Sequence, residues 1–411
     1  MSEAWRERLR MQAMQAITKR SPFGNDIDLS EFSTISPEEA AISEEVRRRS
    51  LEVGVDVGEI KSGTYLQVNH SVLLSKLASQ IEGLELIPTE EALKRYEWLK
   101  DYYWKALSVV QDKYTAMAEL RQTRGYFIRS APHQKIERPV QACLYIGSEG
   151  LIQAPHNIVI AEEGSELNII TGCTVDNRAR RAAHLGISEF YVKKGATVVF
   201  TMIHNWSDKT YVRPRTGVIV EEGGTFISNY VMIKPVMDIQ SYPTAYLTGK
   251  GATAKFNTIV YASQNSIIDL GNRIILMAEG STGESVFKVV ATGHAKVYNR
   301  GQIFGQNKFT KGHLECRGMI LCPSASITAI PELVAEHSDT ELSHEAAIGK
   351  LQEEQLHYLM SRGIPPEEAI GILVKGFLDP GLPGLPGVLQ KEIRSKLSLL
   401  DKSSGEKGEP C

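Results

Sequence analysis

The 411-residue chain lacks the features that mark a membrane or secreted protein. No segment approaches the roughly 18 consecutive apolar residues of a membrane span. The first twenty residues contain no apolar core of a signal peptide. The net charge is −3, so no basic surplus points to nucleic acid or to an anionic membrane. We therefore expect a cytoplasmic protein that binds neither nucleic acid nor membrane.

Several catalytic signatures are also missing. The chain has no Gly-x-x-x-x-Gly-Lys-Ser/Thr phosphate loop, no Gly-x-Gly-x-x-Gly motif after a strand and no Gly-x-Ser-x-Gly elbow. It has no Cys-x-x-Cys pair and no His-Glu-x-x-His helix. The chain therefore lacks the local motifs of the usual nucleotide-binding proteins, hydrolases and structural zinc sites, and we do not expect an enzyme.

The cysteines are few and widely spaced. They are Cys143, Cys173, Cys316, Cys322 and Cys411. An odd number of cysteines in a large chain without an export signal predicts free thiols in a reducing compartment. For any one of them, the alternative is a small buried hydrophobic side chain.

What the chain does contain is a repeat between residues 126 and 335. Charged turns with a marker glycine recur at 164, 195, 223, 251 and 280, in steps of 31, 28, 28 and 29 residues. Alternating apolar residues lie between the turns, and no helical pattern intervenes. Stacked units of this size predict a mainly β protein with a right-handed parallel β-helix core. A large β-sandwich is the alternative, but its two-residue Asn-Gly or Asp-Gly hairpin turns are missing.

The residues before the repeats predict helices. Ser36-Pro37-Glu38-Glu39 has the composition of a helix start and predicts a helix over 37–52. Pro88-Thr89-Glu90-Glu91 opens a longer predicted helix that ends near Leu120. We therefore assign residues 1–125 to an N-terminal helical domain.

The residues after the repeats also predict helices. From about 343, apolar residues at helical spacing predict a helix that ends near Gly363, and Pro365-Pro366-Glu367-Glu368 starts the next one. A Pro/Gly linker over 379–387, a last helix over 388–400 and a disordered tail over 401–411 follow. We assign 126–335 to the β-helix and 336–411 to a C-terminal helical domain.

Three residues near the end of the repeats have side chains that bind metals. Cys316 lies beside Arg317, whose positive charge would lower the pKa of the thiol if the two side chains were close. Ser343-His344-Glu345 lies at the predicted entry to the C-terminal helices, where helix capping is the alternative role. Cys316, His344 and Glu345 together offer soft and borderline ligands.

Three separated segments carry a family resemblance. The first, EGSELNIITGC, spans 163–173, and the second joins FYVKKGAT at 190–197 to Asn205-Trp206. The third begins with SHEA at 343–346 and continues through EQL, Tyr358 and RGI to residue 364. These segments, in this order, resemble the SufB/SufD family of iron–sulfur cluster assembly scaffolds, over about 126–380.

The resemblance implies roles for individual residues and for partners. Cys173 matches the family cysteine that receives sulfur as a persulfide. Cys316 and Glu345 match the SufB residues assigned to cluster assembly, and His344 matches a histidine that SufD contributes at the dimer face. The C-terminal helices would dock a SufC-like ABC ATPase, and this chain itself would bind no nucleotide. The cargo would be a transient [2Fe–2S] or [4Fe–4S] cluster, built from iron and sulfur delivered by a donor.

The resemblance also implies a dimer. A [2Fe–2S] centre takes about four ligands, and a two-fold dimer doubles each side chain that one chain supplies. The chain combines SufB-like Glu345 with SufD-like His344, which favours a homodimer in a system of one scaffold and one ATPase. Pairing with a SufD-like paralogue stays open.

An internal sulfur route follows from the spacing of two cysteines. Cys173 and Cys316 lie about five repeats apart, or roughly 24 Å along the coil. Direct thiol exchange cannot cross that distance, so His204, Arg213 and Arg215 are candidates to line a path. Their alternative role is that of ordinary polar residues in the core or on the surface. His204 stands where SufB has glutamine, and Tyr145 stands in the place of a family arginine.

Two other functions stay open. A SufD-like structural partner of the ATPase would carry no cluster of its own. A β-helical polysaccharide lyase or hydrolase would need a carboxylate-lined groove, and the repeats hold no tight Asp/Glu cluster.

Overall fold

The computed structural model describes residues 3–79, 81–121, 123–179 and 181–378. Its centre is a parallel β-solenoid of about eight turns with helices at its N- and C-terminal sides. This architecture confirms the fold class predicted from the repeats. The predicted linker over 379–387, the last helix over 388–400 and the disordered tail lie outside the described residues.

The helices are short. They are α1 (Glu3–Ala16), α2 (Glu44–Glu52), α3 (Thr89–Arg95), α4 (Lys113–Leu120), α5 (Glu353–Ser361) and α6 (Pro366–Leu378), with 3-10 turns at Leu29–Glu31 and Glu97–Asp101. None of them, within the described ranges, has both the length and the apolar character needed to cross a bilayer.

The strands form two long sheets. The strands up to the fourth turn are β1 (Gly63–Val68), β2 (Ser71–Leu77), β3 (Leu84–Pro88), β4 (Tyr126–Ser130), β5 (Val140–Ile146), β6 (Leu151–Gln153), β7 (His156–Ala161), β8 (Glu166–Val175), β9 (Ala182–His184), β10 (Ile187–Val192), β11 (Thr197–Asn205), β12 (Thr210–Val212), β13 (Arg215–Val220) and β14 (Thr225–Met232). The remaining strands are β15 (Asp238–Ser241), β16 (Thr244–Leu247), β17 (Thr253–Ala262), β18 (Ile267–Leu276), β19 (Thr282–Ala291), β20 (Lys296–Gly305), β21 (Lys311–Ile320), β22 (Ser326–Ala335) and β23 (Glu341–Lys350).

The first sheet has ten strands in the order β2-β1-β5-β8-β11-β14-β17-β19-β21-β23, parallel except for β1–β2. The second sheet has two arms, β4-β7-β10-β13-β16 and β6-β9-β12-β15, which both pair with β18. The early turns therefore contain three strands, and the turns from β18 onwards contain two long ones. In-register parallel pairing places side chains of neighbouring turns directly above one another.

The marker glycines form the turns between successive rungs. Gly164, Gly195, Gly223, Gly251 and Gly280 all have φ between 62° and 68°, a backbone conformation that glycine adopts without steric cost. His133 and Phe309 hold the equivalent places at φ 59°. The backbone ladder continues through both, since His133 N donates to Glu163 O and Phe309 N donates to Asp339 O.

The hydrophobic core has three parts. The inside of the coil is filled by the inward side chains of both sheets, from Tyr65 to Ala325. A second cluster packs α1 and the 92–118 segment, which includes most of α4, against the outer face of the second sheet. A third covers the outer face of the first sheet with residues from α2 and α6. The coil is therefore enclosed over most of its length.

The N-terminal region differs from the helical prediction. The helix predicted over 37–52 begins only at Glu44, because Ser43 accepts the Val46 N–H at 3.2 Å and caps it there. Strands β1 to β3 lie within 1–125, and β1 extends the first sheet by pairing with β5. The strands therefore run past the predicted boundary at 125.

The long helix predicted over 88–120 is also wrong. It divides into α3, a 3-10 turn and α4 because buried Glu189 draws the intervening backbone onto the coil. Its carboxylate accepts the N–H groups of Trp104 at 2.7 Å and of Lys105 and Ala106 at 2.8 Å. A fully buried carboxylate needs such donors, and meeting that need prevents a continuous helix.

The C-terminal prediction fails at one place. Residues 341–350 are strand β23 rather than the start of a helix, because they complete the last turn by pairing in register with β21. Ile348 therefore belongs to a strand, and the helices begin at Glu353 and Pro366.

Candidate functional site

Cys173 lies inside the coil. It is on β8, between Leu144 of β5 and His204 of β11, its in-register neighbours. The side chain is fully buried, and burial, followed by the nearby Cys143 thiol, raises the pKa of Cys173 well above its usual value. Cys143, Cys173 and Cys316 are free thiols, as predicted, but Cys322 is disulfide-bonded, so the prediction of free thiols is wrong for that residue. Cys411 lies outside the described residues.

Several polar side chains lie around Cys173 in the interior of the coil. His204 Nδ1 lies 2.8 Å from the Tyr230 hydroxyl, and its ring packs against Trp206 with centroids 5.2 Å apart. Burial, and then the neighbouring His184, lowers the pKa of His204 well below its ordinary value, so its imidazole is neutral. His204 is thus the one predicted path residue that faces the interior beside Cys173.

Two arginines predicted to line the same path lie elsewhere. Arg213 pairs with Asp238 at 2.6 Å and donates to Asn25 O at 2.8 Å. Arg215 pairs with Asp112 at 2.7 Å. Both face outward from the second sheet and hold the N-terminal segment against the coil, so these contacts correct the prediction that they line an internal route.

Cys316 lies on β21, five strand spacings from Cys173 in the same sheet. It is in register with Phe287 of β19 and accepts a hydrogen bond from Asn299 Nδ2 at 3.0 Å. Burial raises the pKa of its thiol, against the smaller effect of the Asn299 hydrogen bond. Arg317 does not lower it, because strand alternation turns Arg317 to the outer face, where it pairs with Glu315.

His344 and Glu345 lie on β23, the neighbour of β21. His344 is in register with Leu314, and Glu345 with Glu315. Cys316 and His344 therefore face the same side of the sheet, whereas Glu345 faces the outer side. The backbones of residues 316 and 345 are adjacent, but the two side chains lie on opposite faces.

The last turn of the coil is uncovered. Every residue of β23 except Leu342 is exposed, and most of β22 is exposed or half-buried. In the described part of the chain, no three His, Cys, Asp or Glu side chains converge as a metal site. A single chain thus presents individual ligands along an open sheet edge rather than a completed cage.

The interior between the two thiols is filled. The residues that continue the Cys173 column are His204, Met232, Val260 and Val289. The column that leads to Cys316 contains Tyr230, Thr258 and Phe287. The polar lining thus gives way to apolar side chains before Cys316.

Sequence reasoning missed several of these neighbours. Tyr230, His184 and Asn299 were not singled out, although period-two alternation within each strand assigns Tyr230 to the inward face. No sequence signal could show that Asn299 meets Cys316, because they are on different sheets. The inward positions of His204, Trp206 and Tyr230 were the sequence signal that could have indicated a polar interior.

The fold and these residues define a β-solenoid protein with a sealed thiol in its middle turns and metal-ligand side chains at its open end. The chain belongs to the SufBD family: the family model described as "SUF system FeS cluster assembly, SufBD core domain" matches residues 144–377. It is thus an iron–sulfur cluster assembly protein of the SUF system, as the three sequence segments predicted.

Curated relatives carry the same family name over nearly their whole length. An "iron-sulfur cluster assembly SufBD family protein" of Archaeoglobus fulgidus is 48% identical over 357 residues, which cover 87% of this chain and 95% of the relative. One from Methanothermobacter thermautotrophicus (strain Winter) is 44% identical over 403 residues, covering 94% and 97%. One from Staphylococcus epidermidis is 29% identical over 403 residues, covering 93% and 86%.

Proposed function

We propose that the chain is a non-catalytic scaffold that accepts sulfur at Cys173 and assembles an iron–sulfur cluster at the open end of the coil. The observation that carries this proposal is the uncovered last turn, where β23 presents His344 and Glu345 beside the strand that holds Cys316. An exposed ten-residue edge strand is a ready site for pairing with a second chain.

A homodimer at this edge would complete the ligand set. Two chains supply two thiolates, two imidazoles and two carboxylates from Cys316, His344 and Glu345, and a cluster of the [2Fe–2S] type needs four ligands. Cluster iron and sulfide are cargo here, so weak and partly oxygen ligation suits release. We propose this cluster as transient, and a SufD-like paralogue is the alternative partner.

Sulfur would reach Cys173 by transfer from a persulfide donor. The Cys173 sulfur attacks the terminal sulfur of the donor, a new S–S bond forms, and the donor's own S–S bond breaks. The donor leaves as a thiol that takes the Cys173 proton, so no external oxidant is needed. His204 is the residue we retain for the first step of the internal path.

The SufC-like ATPase would dock on α5 and α6. These helices carry exposed apolar side chains at Tyr358, Met360 and Ile372. Exposed apolar groups on adjacent helices, outside the packed core, suit a protein partner. Hydrolysis would occur in that partner, in keeping with the missing phosphate loop.

Anaerobic reconstitution with ferrous iron and sulfide tests the cluster site. Wild type should develop a charge-transfer absorbance and a Mössbauer spectrum of a protein-bound cluster, and Cys316→Ser and His344→Ala should lose most of both. Glu345→Ala should lose part, whereas Glu341→Ala, on the same exposed strand, should behave as wild type. Retention of the full chromophore in Cys316→Ser would reject this site.

The SufD-like alternative makes a different prediction. It draws support from the absence of a three-ligand group in the described part of one chain. In that case wild type itself would bind no cluster, while binding of the ATPase to α5 and α6 would persist. Co-purification with the ATPase, measured alongside iron content, separates the two functions.

A further inference from the structure

Two buried hydrogen-bond donors beside Cys173 have no partner. His204 Nε2 and Trp206 Nε1 are both enclosed and make no hydrogen bond within the described part of the chain. His204 is the register neighbour of Cys173, and Trp206 follows two residues later, just past the end of β11, with its ring against His204. Buried polar groups are nearly always satisfied, so an acceptor that completes this pair is expected.

The proton on His204 is directed by Tyr230. The Tyr230 hydroxyl lies 2.8 Å from His204 Nδ1 and 3.7 Å from the Met232 sulfur. A neutral imidazole nitrogen is a much better acceptor than a thioether, so the hydroxyl donates to Nδ1. The imidazole then carries its proton on Nε2, which makes Nε2 a donor like the indole N–H of Trp206.

The surroundings of Cys173 disfavour a bare anion. The titratable groups coupled to it are Cys143, Tyr126 and Tyr230, all neutral at ordinary pH because burial raises the pKa of each. A persulfide is more acidic than its parent thiol and carries the charge on the terminal sulfur, about 2.05 Å beyond Sγ. An anion in such an interior is stable only when N–H donors meet it.

We propose that His204 Nε2–H and Trp206 Nε1–H form a donor pocket for the terminal sulfur of a Cys173 persulfide, with Tyr230 as the positioning residue that fixes the His204 tautomer. This inference rests on the proposed acceptance of sulfur at Cys173. It assigns a task to the two unpartnered donors: they hold the sulfur as an anion inside the coil before it moves on.

Titration of the loaded thiol tests the pocket. The full chain is treated with inorganic polysulfide, which transfers one sulfane sulfur to a thiol and leaves as a polysulfide one sulfur shorter. The near-ultraviolet band of the persulfide anion is then followed against pH. The same measurement on Cys173→Ser is subtracted, so that only the Cys173 signal remains, and peptide mass spectrometry confirms loading at Cys173.

Removing either donor should make the persulfide less acidic. A hydrogen bond to a charged group corresponds to a shift of roughly one to two pH units, so Trp206→Phe and His204→Phe should each raise the titration midpoint by about that amount. Tyr230→Phe should raise it by less, because the imidazole remains but its tautomer is no longer fixed. Midpoints equal to wild type in all three variants would overturn the pocket.

Trp104→Phe is the matched control. Its indole N–H is partnered, since it donates to Glu119 at 2.8 Å. Without sulfur, Trp104→Phe should lower the unfolding temperature more than Trp206→Phe does, because only the former breaks an existing hydrogen bond. After loading, Trp104→Phe should leave the persulfide midpoint unchanged, and a shift equal to that of Trp206→Phe would reject the assignment.

Failure of the inference differs from failure of the proposed function. If wild type carries no extra sulfur on the Cys173 peptide, sulfur acceptance at Cys173 is wrong and the pocket is rejected with it. If wild type is loaded but the donor variants titrate alike, sulfur acceptance stands. The two N–H groups then hold a buried water only, and the pocket alone is rejected.

Discussion

The two thiols of the coil lie in opposite surroundings. Around Cys173 the interior is sealed. Helix α2 and residues 53–57 cover the outer face of the first sheet, and α1 and residues 92–118 cover the outer face of the second. Around Cys316 the coil ends one turn later in strands that nothing covers. Under the proposed function, the sealed middle of the coil would keep reactive sulfur away from water, and the open end would leave the metal ligands accessible to a second chain.

The sealed region should depend on its buried ion pairs. Arg215→Met removes the partner of Asp112, and both side chains of this pair are almost fully enclosed. Leaving one buried charge unpaired costs about 3–5 kcal/mol of unfolding free energy, measured by denaturant titration. Lys311→Met, which removes a pair with Glu341 at the exposed end, should cost less than about 1 kcal/mol. Equal losses would contradict the comparison.

The second largest effect should be a loss of unfolding free energy in acid, caused by the histidines of the sealed interior. Burial lowers the pKa of His184 to about 3 and holds the pKa of His204 well below its ordinary value. Below about pH 6.5 the unfolded chain binds protons that the folded chain does not, so stability falls as pH decreases.

For each histidine the expected loss is about 2 kcal/mol between about pH 7 and about pH 5, with a slope that approaches about 1.4 kcal/mol per pH unit at the acid end. Denaturant midpoints between about pH 7 and about pH 5 measure it. The double variant His184→Gln/His204→Gln should flatten the slope, and an unchanged slope would assign the acid sensitivity to other groups.

Packing over β8 gives a third test. A Cβ at Gly172 would lie 2.6 Å from Val53 Cβ, whereas one at Gly349 on β23 would meet nothing within 4 Å. Gly172→Ala should therefore cost about 1–3 kcal/mol by overpacking. Gly349→Ala should be neutral or slightly stabilising. Thermal unfolding of both variants measures the difference, and a Gly172→Ala chain as stable as wild type would show that the cover is loose.

The smallest expected effect concerns the open end. Ile348, on β23, is 39% exposed, and Ile348→Lys would bury a charge in the proposed dimer contact. We expect at least about tenfold weaker self-association by sedimentation. Ile35→Lys makes the same change at another exposed site and should leave association unchanged. Identical association of both variants would exclude β23 from the interface.

The periodic part of the fold could be predicted, because glycine marks five of the turns by its positive φ. His133 and Phe309 make the same turn with side chains that ordinarily avoid it, so the first and last turns gave no such mark. Residues from about 343 were assigned to a helix because their apolar side chains recur at helical spacing. Their strand conformation comes from pairing with β21, a contact far away in sequence.

The candidate site was predictable only residue by residue. The family resemblance identified Cys173, Cys316, His344 and Glu345. Arg317, considered as a neighbour that lowers the pKa of the Cys316 thiol, lies on the opposite face of β21. The positions of Arg213 and Arg215 could not be foreseen, because their partners Asp238 and Asp112 come from separate segments. The helix expected over 88–120 failed for the same kind of reason, the demand of Glu189 for backbone donors.

In-register stacking fixes distances along the coil in units of one strand spacing. The separation of the two thiols is the number of strand spacings between β8 and β21, at roughly 4.8 Å each. It changes by whole rungs of about 29 residues, because inserting a single residue within a strand would turn the remaining side chains of that strand to the other face. Single substitutions can therefore change the chemistry along the interior, while the distance between the two thiols changes only in fixed increments.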